Sequence, residues 1–378
     1  MSGAPFGACS GFRAGRIMKQ SERLMSLDAL RGFDMLFIMG FASLVVAVCG
    51  LTDAAAASMS HVAWDGFAHH DTIFPLFLFI AGVSFPYSVA KQRAGGMSEG
   101  RIYAKIVRRG LTLVVLGMVY NGLFKLDFEN LRIASVLGRI GLAWSIAAVL
   151  YLNFGVKTRA AIAVAVLAGY GALSALVAAP DAAGAGPLTF EGNLAGYIDR
   201  QFLPGKLIYG SFDPEGLLST VPAVVTAMLG MFTGEFVRRS DIRGGRKTLW
   251  MAAAAAALLA AGLAFSGVLP VNKKLWSSTF VCVVGAYSLG MFALFYYLID
   301  VRGWRRWTLF FRVVGLNSIT IYLAQRIVGF GRISDFFLGG IASKCPEAVA
   351  AVISSAGYVA VCWLFLYFLY RKNVFLKV

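Results

Sequence analysis

The chain has 378 residues, 58% of them hydrophobic and only 14% charged, with a formal charge of +16 and a mean hydropathy of +0.72. So few charged groups cannot wet a soluble globule of this length, for which about a quarter charged is usual. The polar residues cluster in short islands between apolar runs of about 20 residues, the length that crosses a hydrocarbon core; this excludes a soluble fold and leaves no room for a separate soluble domain.

The pattern predicts an all-α polytopic membrane bundle of about ten transmembrane helices. A flexible cytoplasmic tail is expected over residues 1–22 and a single membrane domain over 23–378. In chain order the predicted spans are Leu27–Cys49, Thr72–Ala90, Leu111–Leu123, Ile133–Leu152 and Ala160–Ala179. Leu217–Val237, Leu249–Gly267, Ser277–Leu298, Leu309–Gln325 and Ala348–Tyr370 follow. The third is short unless residues 106–109 extend it inward. The first is too long to be a cleaved leader, and no small-residue cleavage site follows it. With both termini inside, 23 of the 35 Lys and Arg residues fall in cytoplasmic segments and 9 on the opposite side. That bias in short loops predicts an N-in, C-in arrangement. The positive charge is thereby read as a topology signal and an attraction to anionic lipid headgroups, not as a nucleic-acid surface. Five scattered cysteines form no paired motif, so neither a zinc site nor a disulfide framework is expected.

Charge at membrane depth is costly, so polar residues inside spans pair or line a cavity. Asp28, Arg31 and Asp34 recur every three residues in the first span, placing neighbours within pairing reach. They form either an interfacial anchor or a cavity wall. Arg139 lies about seven residues into the fourth span. Since arginine does not lose its charge, it needs an anion or a ring of carbonyls; a carboxylate partner such as Asp28 or Asp34 and an anionic ligand are the two anionic alternatives.

All three histidines fall between the first two spans, in His61-Val-Ala-Trp64-Asp65-Gly66 and His69-His70-Asp71. An imidazole is half-neutral near physiological pH and can act as base, acid or nucleophile. Adjacent histidines on a helix point about 100° apart, and no i, i+4 pair with an acid is present, so no metal is expected. Two further polar clusters lie on the same side. In the first, Asp213, Pro214 and Glu215 either cap a helix start or line a sugar site. In the second, Asn272, Lys273, Lys274 and Trp276 either anchor at the headgroups or contribute amide bonding and ring stacking to a sugar. Asn317, in Gly315-Leu-Asn-Ser318, opens a hydrogen-bonding run in the ninth span, of a kind that commonly joins helices.

Five blocks in order over residues 23–330 carry a family resemblance. They are Arg23-Leu-Met-Ser-Leu-Asp28-Ala-Leu-Arg31-Gly32; His61-Val-Ala-Trp64-Asp-Gly66 with Asp71 through Pro75; Leu131-Arg132-Ile133 with Gly138-Arg139; Asp213-Pro-Glu-Gly216; and Pro270-Val-Asn-Lys-Lys-Leu-Trp276 with Gly315 to Ser318. The chain resembles bacterial members of the transmembrane acetyltransferases typified by heparan-α-glucosaminide N-acetyltransferase. The resemblance implies transfer of an acetyl group from cytosolic acetyl-CoA to the amino group of a glucosamine-type sugar across the membrane, without a metal. It implies that His61 is catalytic and Asp71 its acid partner, with Trp64, Asp213, Glu215, Asn272, Lys273, Trp276 and Asn317 toward the sugar. It also implies a bacterial inner membrane location and a homodimer. Depth and charge single out Arg31, Arg132 and Arg139 for the anionic donor. Asn272 and Asn317 are the expected oxyanion donors. An asparagine that the human-type member carries late in the first span is replaced by Ala42. O-acetylation of a surface polysaccharide is the alternative chemistry. Transport of the sugar is the alternative class, although no internal repeat supports it.

Overall fold

In the computed structural model, residues 24–52 and 59–376 are described; the tail expected over residues 1–22 lies outside them. The bundle is helical throughout. Among the described residues the only extended pairings are two isolated bridges, Arg132 with Gly205 and Ala178 with Asn193.

The first span is α1 (Met25–Leu36) and α2 (Ala42–Cys49), joined by a π-helical turn over Phe37–Phe41. Gly40 in that turn takes a φ of 106°, open to a residue without a Cβ. A 3₁₀ turn over His69–Asp71 leads into α3 (Ile73–Ala94), and α4 spans Glu99–Tyr120. Next are α5 (Val136–Asn153), α6 (Val156–Leu176), the short α7 (Leu194–Phe202) and α8 (Leu217–Arg238). The chain finishes with α9 (Gly244–Ala264), α10 (Ser278–Phe295, extended by a π turn over Tyr296–Val301), α11 (Thr308–Leu316), α12 (Ser318–Ile327), α13 (Phe330–Ala342) and α14 (Glu347–Arg371).

Eight helices among the described residues are long and apolar enough to cross a membrane, consistent with a polytopic membrane bundle. The other two predicted spans deviate for visible reasons. The third starts earlier than predicted, since α4 runs in from Glu99 and carries Arg108 and Arg109 mid-helix. The ninth is interrupted at Asn317, between α11 and α12.

The interior is made by α3, α8 and α10, with α6, α9 and α14 on the outside. Close approach depends on glycine. A Cβ on Gly230 of α8 would run into the Phe79 carbonyl of α3, and one on Gly82 into the Ala227 carbonyl. Gly32 and Gly315 bring α1 and α11 together in the same way, against the Phe311 and Asp28 carbonyls. Small residues at such crossings let backbones meet where lipid offers no hydrophobic drive. The bundle has a basic end, with Lys91, Arg238 and Arg371 at helix C-termini, and a histidine end carrying the loop before α3.

Candidate active site

Two loops at the histidine end are clasped together. The Gly66 N–H donates to the Val271 carbonyl at 2.8 Å, and Asn272 donates its amide to Asp65 at 3.0 Å. The Lys274 ammonium donates to the Ala63 carbonyl. Asn272 is 1% exposed; its Oδ1 accepts from Leu275 N–H and its own N–H is bound by Ser277. Its side chain is committed to holding the loops in register, which is what the Pro-Val-Asn-Lys-Lys-Leu-Trp spacing encodes.

The clasp sets up three groups. His61 Nδ1 lies 2.7 Å from Asp71 Oδ1. Lys273 Nζ is 3.0 Å from the same nitrogen and 3.3 Å from the same carboxylate oxygen. The other Asp71 oxygen accepts from the Ala68 and Val62 N–H groups at 3.2 and 3.5 Å. Asp71 is therefore fixed at both oxygens and 2% exposed, while the His61 side chain is 53% exposed. A carboxylate 2.7 Å away favours the tautomer with its proton on Nδ1 and the lone pair on Nε2. Lys273 balances the Asp71 charge, and burial pushes its ammonium below the usual lysine range despite Asp71 alongside.

The neighbouring histidines belong to the same assembly. The His70 ring packs edge-on to His61 with centroids 4.5 Å apart. His69 Nε2 meets the Tyr287 hydroxyl at 3.1 Å and its ring lies 4.5 Å from Phe37. No group of three or more metal-ligating side chains is gathered among the described residues.

Trp64 is positioned by an indole bond to the Leu188 carbonyl at 2.9 Å and by rings of Phe190 and Phe212. Lys274 sits 4.6 Å over Tyr209 beside them. The loop supplying Leu188 and Phe190 carried no sequence signal beyond its aromatic residue. Trp276 is 1% exposed and packed among Phe74, Phe280 and the Arg139 guanidinium, so it forms the floor of the region and offers no face for a sugar.

Asp213 does not cap a helix as one reading expected; α8 begins at Leu217 with Gly216 before it. Its carboxylate closes the turn before the helix instead, Oδ1 accepting from the Glu215 N–H at 3.0 Å. Arg132 takes both Asp213 oxygens at 2.6 Å and also binds Glu215, while Asp199 accepts the Leu217 and Asp213 N–H groups at 2.9 and 3.2 Å. Burial pushes Asp199 up to about 6. Arg132 is thus committed to two carboxylates at the histidine end. Arg139 donates to the Pro214 carbonyl and to Ser219, pinning the same turn, and its Nε and Nη1 have no hydrogen-bond partner. Its predicted partners Asp28 and Asp34 are elsewhere.

A cavity of about 830 Å³ runs from the basic end toward this site. Asp28, Arg31, Met35 and Ile38, one helical face of α1, form a wall. Lys91, Arg109 and Arg312 add three more cations, and Phe74, one turn beyond Asp71, lies at the far end with Tyr322. Arg31 is held by Asp28 at 3.4 Å and Ser84 at 3.5 Å; Arg109 lies over the Trp144 ring. The Nε atoms of Arg109 and Arg312 are buried without a hydrogen-bond partner. Of the three arginines singled out from sequence, only Arg31 lines this cavity; Arg109 was left outside the third predicted span, and Arg312, inside the ninth, was not singled out. Asp34 leaves the Arg31 face, and its Oδ2 is buried without a partner. Asn317 lies at the break beside the cavity residues Gly315, Leu316 and Ser318; its Oδ1 accepts from Thr320 and its amide is unbonded.

A family model described as heparan-alpha-glucosaminide N-acetyltransferase, catalytic, matches residues 23–271. Heparan-alpha-glucosaminide N-acetyltransferase of Homo sapiens is 27% identical over 420 residues, covering 96% of this chain and 61% of that protein. The Mus musculus protein of the same name is 26% identical over 372 residues, covering 84% and 56%. The chain spans about three-fifths of the length of these curated relatives.

Proposed function

The chain belongs to the heparan-alpha-glucosaminide N-acetyltransferase catalytic family, and from that premise we propose that it transfers an acetyl group from acetyl-CoA to the amino group of a glucosamine-type sugar. The donor enters from the basic, cytoplasmic end, and the acceptor meets it at His61 on the opposite side. The observation that carries this reading is a single cavity with Arg31, Arg109, Arg312 and Lys91 on its walls that reaches Phe74, one turn from the Asp71 that holds His61. Guanidiniums on the cavity wall suit the phosphates of a CoA ester, because arginine binds phosphate through paired N–H donors.

In the reaction His61 Nε2 takes a proton from the acceptor nitrogen as that nitrogen bonds to the thioester carbonyl carbon. Asp71 stabilises the resulting imidazolium. The C–S bond then breaks, and the imidazolium returns the proton to the departing sulfur, leaving amide and CoA thiol. A donor to the oxyanion contributes about 3 kcal/mol when well placed, and we assign that part to Asn317, at the α11–α12 break beside the cavity. Asn272 serves by holding Asp65, and Trp64, Glu215 and Lys273 are the residues we assign to the acceptor side. Membranes given acetyl-CoA and glucosamine should release CoA thiol and form N-acetylglucosamine. His61→Ala should lower that rate by on the order of 10²–10⁴-fold. Transfer to hydroxyl-only sugars with none to amino sugars would replace this reading with O-acetylation.

A further inference from the structure

A second cavity, of about 620 Å³, adjoins the histidines and takes no part in the reaction as described. His70 is its inner wall, and this ring lies 4.5 Å from that of His61. His70 Nδ1 is buried and has no hydrogen-bond partner. From there the cavity extends between α2 and α14 along Ala42, Val46 and Ala47 on one side and Ala351 and Ser355 on the other. Ser43, Val46 and Ala351 are exposed on helices that are long and apolar enough to cross a membrane. The mouth of the cavity therefore lies on the flank of two such helices.

Resting on the acetyl-transfer reading, we infer that the acceptor is an amino sugar carrying a hydrocarbon tail: the sugar stands beside the His61–His70 pair, and the tail lies between α2 and α14. The chemistry of the walls separates this from a plain saccharide. A sugar ring has no use for alanine and valine walls, whereas each buried methylene of a tail contributes about 0.8 kcal/mol. A lateral opening admits a molecule already dissolved in the bilayer, whereas the aqueous loops around Trp64 would suffice for a soluble one. At the inner end the His70 ring, edge-on to His61, walls the place where the amine meets His61 Nε2. Ala42 keeps the floor open, since a longer side chain there would fill the space beside His70.

The test compares methyl β-glucosaminide with octyl β-glucosaminide as acceptors, both below the micellar concentration, with CoA release as readout. The expected result is a KM for the octyl compound at least about ten-fold lower, which burial of two methylene groups would produce, at similar kcat. Ala47→Trp and Ala351→Trp should each raise the octyl KM to that of the methyl compound while the methyl kinetics stay within about two-fold, which also shows that the variants fold. Equal KM values for the two acceptors, or variants that impair both alike, overturn the tail site and leave the transfer reading standing. No CoA release with any amino sugar overturns the transfer reading and this inference with it.

Discussion

Asp71 does three jobs with two oxygens: it fixes the His61 tautomer, anchors Lys273, and ties the loop through the Ala68 and Val62 amides. Asp71→Asn keeps the shape but presents an amide N–H or a neutral oxygen to Nδ1. The expected outcome is a loss of kcat on the order of 10²-fold or more, with membrane insertion and acetyl-CoA affinity retained, read by steady-state kinetics and equilibrium binding. Lys273 makes a pH prediction. Its ammonium is lowered by burial, so as pH rises it loses the charge that holds Asp71 before an ordinary lysine would. Activity should then fall on an alkaline limb below the usual lysine range, and Lys273→Arg, which stays charged, should move that limb to higher pH. At this scale the sequence marked the loop, since histidines confined beside acids are conspicuous, and through the family resemblance it singled out His61 and Asp71. It was silent on the work of Asn272 and Trp276, because an amide or indole reads alike whether it faces a ligand or a core.

Helix contacts explain where element-level reading succeeded. Apolar run length found the membrane helices because hydrocarbon thickness dictates it. It failed at α4 and at the α11–α12 break, where function or packing places charge and a polar break inside the membrane. The α3–α8 crossing rests on Gly82 and Gly230, neither of which announces its partner in sequence. Gly230→Ala should separate these helices at a cost of about 1–3 kcal/mol, seen as a lower unfolding temperature in detergent. Gly245→Ala, with open space around its Cβ position, should leave the temperature unchanged.

For the whole molecule, the separation of a cation-lined cavity from the His61 loop is the organising fact. Charge bias pointed to two unlike ends, but not to a cavity along α1 between them, because a cavity is made by residues distant in sequence. Arg109→Gln and Arg312→Gln should each raise the KM for acetyl-CoA by about ten-fold, with smaller changes in kcat and in acceptor KM; a bidentate guanidinium–phosphate contact is of that order. Arg132→Gln, which would free Asp213 and Glu215, should instead destabilise the fold and leave the ratio of the two KM values alone.

The π-helical turn at Phe37–Phe41 has the effect of an index mark on a dial. Before it, α1 presents Asp28, Arg31 and Met35 to the donor cavity; after it, α2 presents Ala42, Ser43 and Ala47 to the cavity beside His70. Gly40, with a φ of 106°, breaks the helix in that turn, so the bearing of α2 is set apart from that of α1 and one span addresses two chambers. Gly40→Ala would strain this backbone and swing α2 off its bearing. The donor chamber would keep its wall, the second would lose one, and the two substrates would no longer be read by the same helix.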